Sequence, residues 1–199
     1  MNRKFLYKAK RGVTKPFVAT ISVATCLLVI SSLLASCVTT SVPKGIRPVT
    51  GFELNRYLGT WYEIARYDHR FERNLGEVSA TYSLNDDGTV KVLNSGIYIE
   101  PSSKVGKRNS ATGKAKFVGD RGTAHLKVSF FGPLYGSYIV FELDKENYQY
   151  SLVAGPNRKF LWILARTPTI DERLYQQLLE TVEANGYDTS KLIRVEQAG

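Results

Sequence analysis

A chain of 199 residues with 43% hydrophobic content can bury one full core but hardly two. Its formal charge of +9 comes largely from the first 36 residues, which carry six of the 27 Lys and Arg and no acid. The remaining 21 basic and 18 acidic residues leave about +3, which excludes a nucleic-acid-binding balance.

Met1 to Lys15 is basic and Phe17 to Leu34 is almost wholly apolar or small, the layout of a secretory signal. The leader closes on Leu34-Ala35-Ser36-Cys37, which resembles the lipobox of bacterial lipoproteins, where the chain is cut before the cysteine and its sulfur is acylated. Residues 1–36 are therefore expected to be a lipoprotein signal peptide, 37–50 an acylated N-terminus and tether, and 51–199 the folded domain. An uncleaved membrane helix is the competing reading, since about 20 apolar residues span a bilayer. Cys37 stands where the signal ends and polar linker begins, which favours the lipobox. Cys26 lies within the leader, so the domain has no disulfide and rests on packing and hydrogen bonds.

Phe52 to Tyr57 is expected to make a short helical turn. In the next segment, a strand over Leu58 to Tyr67, one phase holds Trp61, Glu63, Ala65 and Tyr67 and the other Tyr62, Ile64 and Arg66. Neither phase is cleanly apolar, which predicts a bulge or a partly polar inner face. Alternation then predicts strands over Val78 to Leu84, Val90 to Ile97, Ala111 to Val118, Ala124 to Phe130, Ser137 to Leu143, Tyr148 to Ala154 and Phe160 to Arg166. Thr169 with Glu172 reads as a capping box and Gly186 as the C-terminal cap of a single helix, and Leu192 to Val195 as a short final strand. Eight strands joined by short turns and followed by one helix predict an all-β fold, an up-and-down antiparallel barrel with the helix packed outside. A sandwich would need crossing connections that these turns do not provide.

An eight-stranded barrel is either just filled or holds one small ligand. Small residues at or near inward phases, Ala80, Gly113, Ala115 and Ala154, suggest unfilled volume lined by Tyr82, Val128, Phe130 and Trp162. Periodicity alone leaves the filled and the hollow barrel equally open.

Gly59-Thr60-Trp61 at the first strand, Asn147-Tyr148-Gln149-Tyr150 before the seventh and Arg166 ending the eighth resemble the three short motifs of lipocalins. The runs Tyr57 to Arg66, Val128 to Pro133 and Leu161 to Thr169 are similar to the bacterial outer-membrane branch of that family. The resemblance covers roughly Gly51 to Gln197 and implies a ligand-holding calyx. It implies structural roles for Gly59, Trp61, Tyr148 and Arg166, with Arg166 packed across Trp61 at the closed end. It also places loops Asp68 to Glu77, Ile99 to Ser110, Phe131 to Gly136 and Gly155 to Lys159 around the open mouth. Asn147 stands where the family usually has an acid, which is expected to weaken one turn.

Those loops hold Arg70, Arg73, Lys104, Lys107, Arg108, Arg158 and Lys159 against Asp68, Glu72, Glu77 and Glu100. A basic rim favours an amphiphile with an anionic head, such as a fatty acid or a lysophospholipid. The residues expected to bind it are Ile64, Arg66, Ala80, Tyr82, Val128, Phe130, Tyr135 and Trp162, with Tyr135 at a loop tip offering its hydroxyl. No cofactor is expected, and the two histidines are too far apart in sequence, without acidic partners at ligand spacing, to suggest a metal. An acyl hydrolase would have His69 as its one candidate base, His125 being expected on an exposed face, with no serine identifiably paired to it. A filled barrel serving as an envelope interaction module is a third reading. Val38, rather than aspartate, comes directly after Cys37, which in this family's pattern points to the periplasmic face of the outer membrane of a Gram-negative host. A homodimer is neither required nor excluded.

Overall fold

The computed structural model describes residues 38–100 and 103–197, so the expected signal peptide and Cys37 lie outside the described residues. Eight strands form the barrel: β2 (Gly59–Tyr67), β3 (Leu75–Leu84), β4 (Val90–Tyr98), β5 (Arg108–Phe117), β6 (His125–Phe131), β7 (Leu134–Leu143), β8 (Tyr150–Ala154) and β9 (Leu161–Ala165). Each pairs antiparallel with its sequence neighbour, and β9 returns to β2 through Tyr62–Ala165 and Arg66–Trp162, closing the cylinder. The up-and-down barrel expected from the short turns is what forms, and no sheet packs as a sandwich. A two-residue strand β1 (Val38–Thr39) adds in parallel to β7, and a short helix α1 (Leu54–Tyr57) sits across the end where β2 begins.

Two local features re-aim side chains. The register of β2 on β9 shifts between Glu63 and Ala65. This bulge inserts one residue, so Trp61, Glu63 and Arg66 all share the inner wall with Leu164 and Trp162. Ile64 and Ala65 instead pack with the cluster outside the barrel. The second feature is the turn between β6 and β7. Phe131 pairs with Leu134, so the turn is only Gly132-Pro133, with Gly132 at φ +57° as a tight hairpin demands. β7 therefore starts three residues earlier than alternation predicts, and Tyr135 belongs to a strand.

The helix α2 spans Glu172–Ala184. Its N-cap is Asp171, whose carboxylate accepts the Arg173 and Leu174 N–H groups, not Thr169 as the capping-box pattern suggests. Asp171 wins because it directly precedes the first helical residue, where a carboxylate reaches the unpaired N–H groups. At the other end Gly186, at φ +76°, donates to the Glu183 carbonyl while Tyr187 donates to Val182, a Schellman closure. The buried stripe Tyr175, Leu178 and Val182 packs against Ile139, Phe141, Leu152, Ala154, Leu161 and Ile163 on the outer wall. A second cluster fills the barrel's lower half, so the strands β7 to β9 are apolar on both faces.

A seam remains where β2 and β3 diverge, since they pair only from Gly59–Tyr82 to Tyr62–Ser79. Residues 192–197 fill it. Strand β10 (Leu192–Arg194) pairs with Tyr67 to Ala65, Glu77 N–H donates to the Glu196 carbonyl, and the Gln197 amide donates to the carbonyls of Glu63 at 2.8 Å and Val78 at 2.9 Å.

Candidate ligand-binding site

The barrel is shut at the end carrying α1. Trp61 is fully buried, stacked on Tyr57 at 4.6 Å, and its indole N–H donates to the Tyr57 carbonyl at 2.8 Å. The Arg166 guanidinium lies 4.1 Å over the indole and donates to the carbonyls of Thr60, Tyr148 and Arg56. Gly59, at φ +95°, leaves room for that guanidinium, whose Nη1 would stand 3.3 Å from a Cβ. Tyr148 holds α1 by accepting the Glu53 N–H on its hydroxyl. The turn before β8 is capped despite Asn147, because the Asp144 carboxylate accepts the N–H groups of Asn147 and Gln149.

Above this plug, three tyrosines make a polar floor. The Tyr138 hydroxyl bonds to those of Tyr57 at 2.8 Å and Tyr82 at 2.9 Å, and Tyr57 also meets Ser151 at 3.1 Å. Burial pushes the Tyr57 hydroxyl up to about 12 and those of Tyr82 and Tyr138 well above their usual range, so the floor is neutral. Over it, Ala80, Asn94, Val128, Phe130 and Trp162 line the inner wall yet remain only half-buried. Solvent therefore still reaches inward-facing residues of β3, β4, β6 and β9.

A buried ionic group stands beside this space, under the loop joining β2 to β3. Arg66 Nη1 donates to Glu63 Oε1 at 2.9 Å, and Nη2 donates to the carbonyls of Glu72 and Leu75, which folds the loop inward. Glu72 Oε2 accepts the Trp162 indole N–H at 3.0 Å and lies 2.9 Å from His69 Nε2. His69 itself packs among the rings of Phe71, Phe160 and Trp162. Burial, reinforced by the neighbouring Glu72 charge, holds the Glu63 carboxyl well above its ordinary range. Burial also opposes the charge on Glu72, but His69, Trp162 and Arg66 outweigh it and keep this carboxyl below its usual value. The two acids thus share a site in which Glu63 holds a proton more tightly than Glu72 does.

Residues 52–197 match the family described as lipocalin-like domain. The chain belongs to the lipocalin family. Similar lipocalins include "Outer membrane lipoprotein Blc" of Vibrio cholerae, 48% identical with 86% of this chain and 96% of that protein covered. The protein of the same name from Escherichia coli K12 is 50% identical, with coverage of 84% and 92%. Mouse apolipoprotein D is 33% identical, with coverage of 74% and 78%. Among solved structures, insecticyanin from the tobacco hornworm superposes with a TM-score of 0.63 at 18% identity, covering 79% of this chain and 87% of that one, a likeness of fold.

The lipocalin barrel brings Ala80, Tyr82, Val128, Phe130 and Trp162 to its inner wall, and the bulge in β2 brings Arg66 there with them. It does not bring Ile64 there, because the bulge turns that side chain outward. Nor does Tyr135 reach the interior. It lies on the outer face of β7 with Lys127 Nζ 5.4 Å over its ring, since the tight Gly132-Pro133 turn shifts it into the strand. Two of the four small residues leave no space: the Phe130 ring sits where a Gly113 side chain would be, and Ala154 packs outside. His125 is buried at 8% exposure beside Ser137 of β7, and burial lowers its pKa. Arg158 and Arg73 are not free rim cations, because Arg158 binds the carbonyls of Lys44 and Asn185 and Arg73 grips Asp68. Sequence reasoning missed Glu63, Glu72, Asn94 and Tyr138 as inner residues. Glu63 shares the phase of Trp61, which was the available signal.

Proposed function

We propose that this lipocalin holds one single-chain amphiphile, a fatty acid or a lysophospholipid, with its tail in the calyx and its head at the basic rim. The observation behind this reading is a barrel plugged at one end whose inward-facing apolar side chains are still reached by solvent above the plug. Electrostatics favour a tail-first orientation. The buried carboxylate of Glu72 opposes a carboxylate or phosphate entering head-first, whereas Arg70, Lys104, Lys107, Arg108 and Lys159 surround the mouth without an acidic partner among the described residues. Burying about 15 methylenes is worth about 12 kcal/mol gross at roughly 0.8 each. Association costs at least about 4 kcal/mol, so affinity near micromolar is expected, with little discrimination of chain length. A fluorescent fatty acid should titrate one to one and be displaced by lysophospholipid. Ala80→Trp, which fills the wall opposite Asn94, should weaken binding about tenfold or more, the equivalent of roughly two buried methylenes. Unsaturable binding, or unchanged binding in the variant, defeats the reading.

The relatives named outer membrane lipoproteins support an outer-membrane location here, and we propose that the protein lies on the periplasmic face, anchored through acylated Cys37. With several acyl chains on one residue such anchoring is stable. Cys37→Ser should move the protein from the membrane to the soluble fraction, and its retention on the membrane would show that Cys37 is not the anchor. The reading is non-catalytic. His69 has a carboxylate and aromatic rings for neighbours in place of a hydroxyl nucleophile.

A further inference from the structure

The N-terminal segment meets the barrel at its mouth. β1 lies beside Tyr135 and Gly136, at the mouth end of β7, and the Ser41 hydroxyl donates to the Pro156 carbonyl of a mouth loop at 2.9 Å. Arg158 of the same loop donates to the Lys44 carbonyl at 2.6 Å. Val38, bonded directly to Cys37 in sequence, therefore stands at the open end of the calyx.

That end has a surface unlike the rest. Five of the nine large apolar residues exposed among the described ones stand on or directly beside three connections at the mouth: Phe71 at 54%, Ile99 at 48%, Val105 at 56%, and Phe131 at 67% and Leu134 at 51% flanking the Gly132-Pro133 turn. Cations are interleaved with them. Arg70 lies 4.8 Å over the Phe71 ring and Lys104 5.0 Å over Tyr98, with Lys107 and Arg108 alongside. The loops at the closed end are opposite in sign, with Asp86, Asp87, Asp120, Asp144 and Glu146 against Arg121 and Lys145. Apolar tips ringed by long basic side chains match the headgroup boundary of an anionic bilayer, and the acidic base is repelled by it.

We propose that the open end of the calyx docks on the anionic phospholipid surface that holds its anchor, with the tips of the three loops inserted, so that the mouth faces the leaflet. This rests on the reading of Cys37 as the anchor and extends it from attachment to orientation. The tips would sit about 5–10 Å into the headgroup and acyl boundary, as amphipathic surface segments do.

The test uses protein extracted from membranes and reconstituted in phosphatidylethanolamine and phosphatidylglycerol vesicles. Single thiols are placed at exposed sites by Val105→Cys or Phe131→Cys at the mouth and Asp86→Cys or Lys145→Cys at the base, and labelled with an environment-sensitive dye. Spin-labelled lipids should quench the mouth labels several-fold more than the base labels. Replacing both Lys104 and Lys107 by Glu should reduce that quenching. Equal quenching at both ends, stronger quenching at the base, or mouth labels that stay in water while a partner protein protects them all overturn the proposal. Acyl-chain binding measured on the same labelled proteins separates the two ideas. Quenched mouth labels without acyl binding keep the docking and remove the lipid-holding reading, while acyl binding with silent labels removes the docking alone.

Discussion

Trp61→Ala is expected to destabilise the barrel by about 3–5 kcal/mol, the range for deleting a fully buried large aromatic. The indole is fully buried and carries three contacts at once: the Tyr57 ring, the Tyr57 carbonyl and the Arg166 guanidinium. Its removal leaves a void under the tyrosine floor and takes the aromatic face from a guanidinium that closes the base. Arg166 keeps its bonds to Thr60, Tyr148 and Arg56, so the loss is mostly packing. Trp61→Phe, which retains stacking but not the N–H, should cost less. Urea denaturation of both variants checks this, and a loss below about 1 kcal/mol for Trp61→Ala, the level of an ordinary substitution, would show that the plug is dispensable.

Arg66→Ala is expected to cost about 3–5 kcal/mol near neutral pH, as for removal of one partner from a buried pair. It strips Glu63 of its cation and unties the carbonyls of Glu72 and Leu75. In a Glu63→Gln background the cost should be smaller, because no buried acid is left unpaired. The pH dependence has a defined sign. Glu63, raised above 4.5 by burial and by Glu72, binds its proton more tightly folded than unfolded. Its contribution is fully present below the unfolded value and is lost as pH climbs from about 4.5 through the raised value. Glu72, lowered despite its burial, contributes in the opposite sense: its stabilisation is present above 4.5 and is lost as pH falls through its depressed value. Glu63→Gln should therefore remove the loss of stability on the alkaline side and leave the acid limb in place. Parallel stability curves for parent and variant, measured from urea midpoints between acid and neutral pH, would show that Glu63 does not titrate in this way.

The fold could be read from the chain because its strands report themselves. Ala124, Leu126 and Val128 alternate with His125 and Lys127, and Asp86 to Gly88 marks a turn that only a short connection can use. The closed base was legible only through the resemblance, since Gly59, Trp61, Tyr148 and Arg166 match the family's motifs and no periodicity marks contacts between residues so far apart in sequence. The site was harder. Ile64 and Tyr135 were misplaced because a bulge and a two-residue turn each shift the phase of the residues beyond them, and alternation carries no mark of where that happens. The ionic cluster escaped for a different reason. Glu72 and His69 lie in a loop, where no periodicity operates, and their burial depends on Arg66 drawing the loop carbonyls inward. His125 sits on a polar face by pattern but is buried beside Ser137 of β7, a cross-strand neighbour that alternation within one strand does not reveal.

The filled seam between β2 and β3 has a consequence in time. Glu63 and Gln197 are 134 residues apart, and β2 waits for β9 and β10 before either side of its upper half is paired. A chain threaded from its N-terminus presents residues 192–197 after all the barrel strands, so the segment that fills this seam is available only after the strands it joins. Until that moment the edges of β2 and β3 stand unpaired, open to water and to other chains. An exposed pair of strand edges is a template for misassociation, and residues 192–197 remove it from this fold.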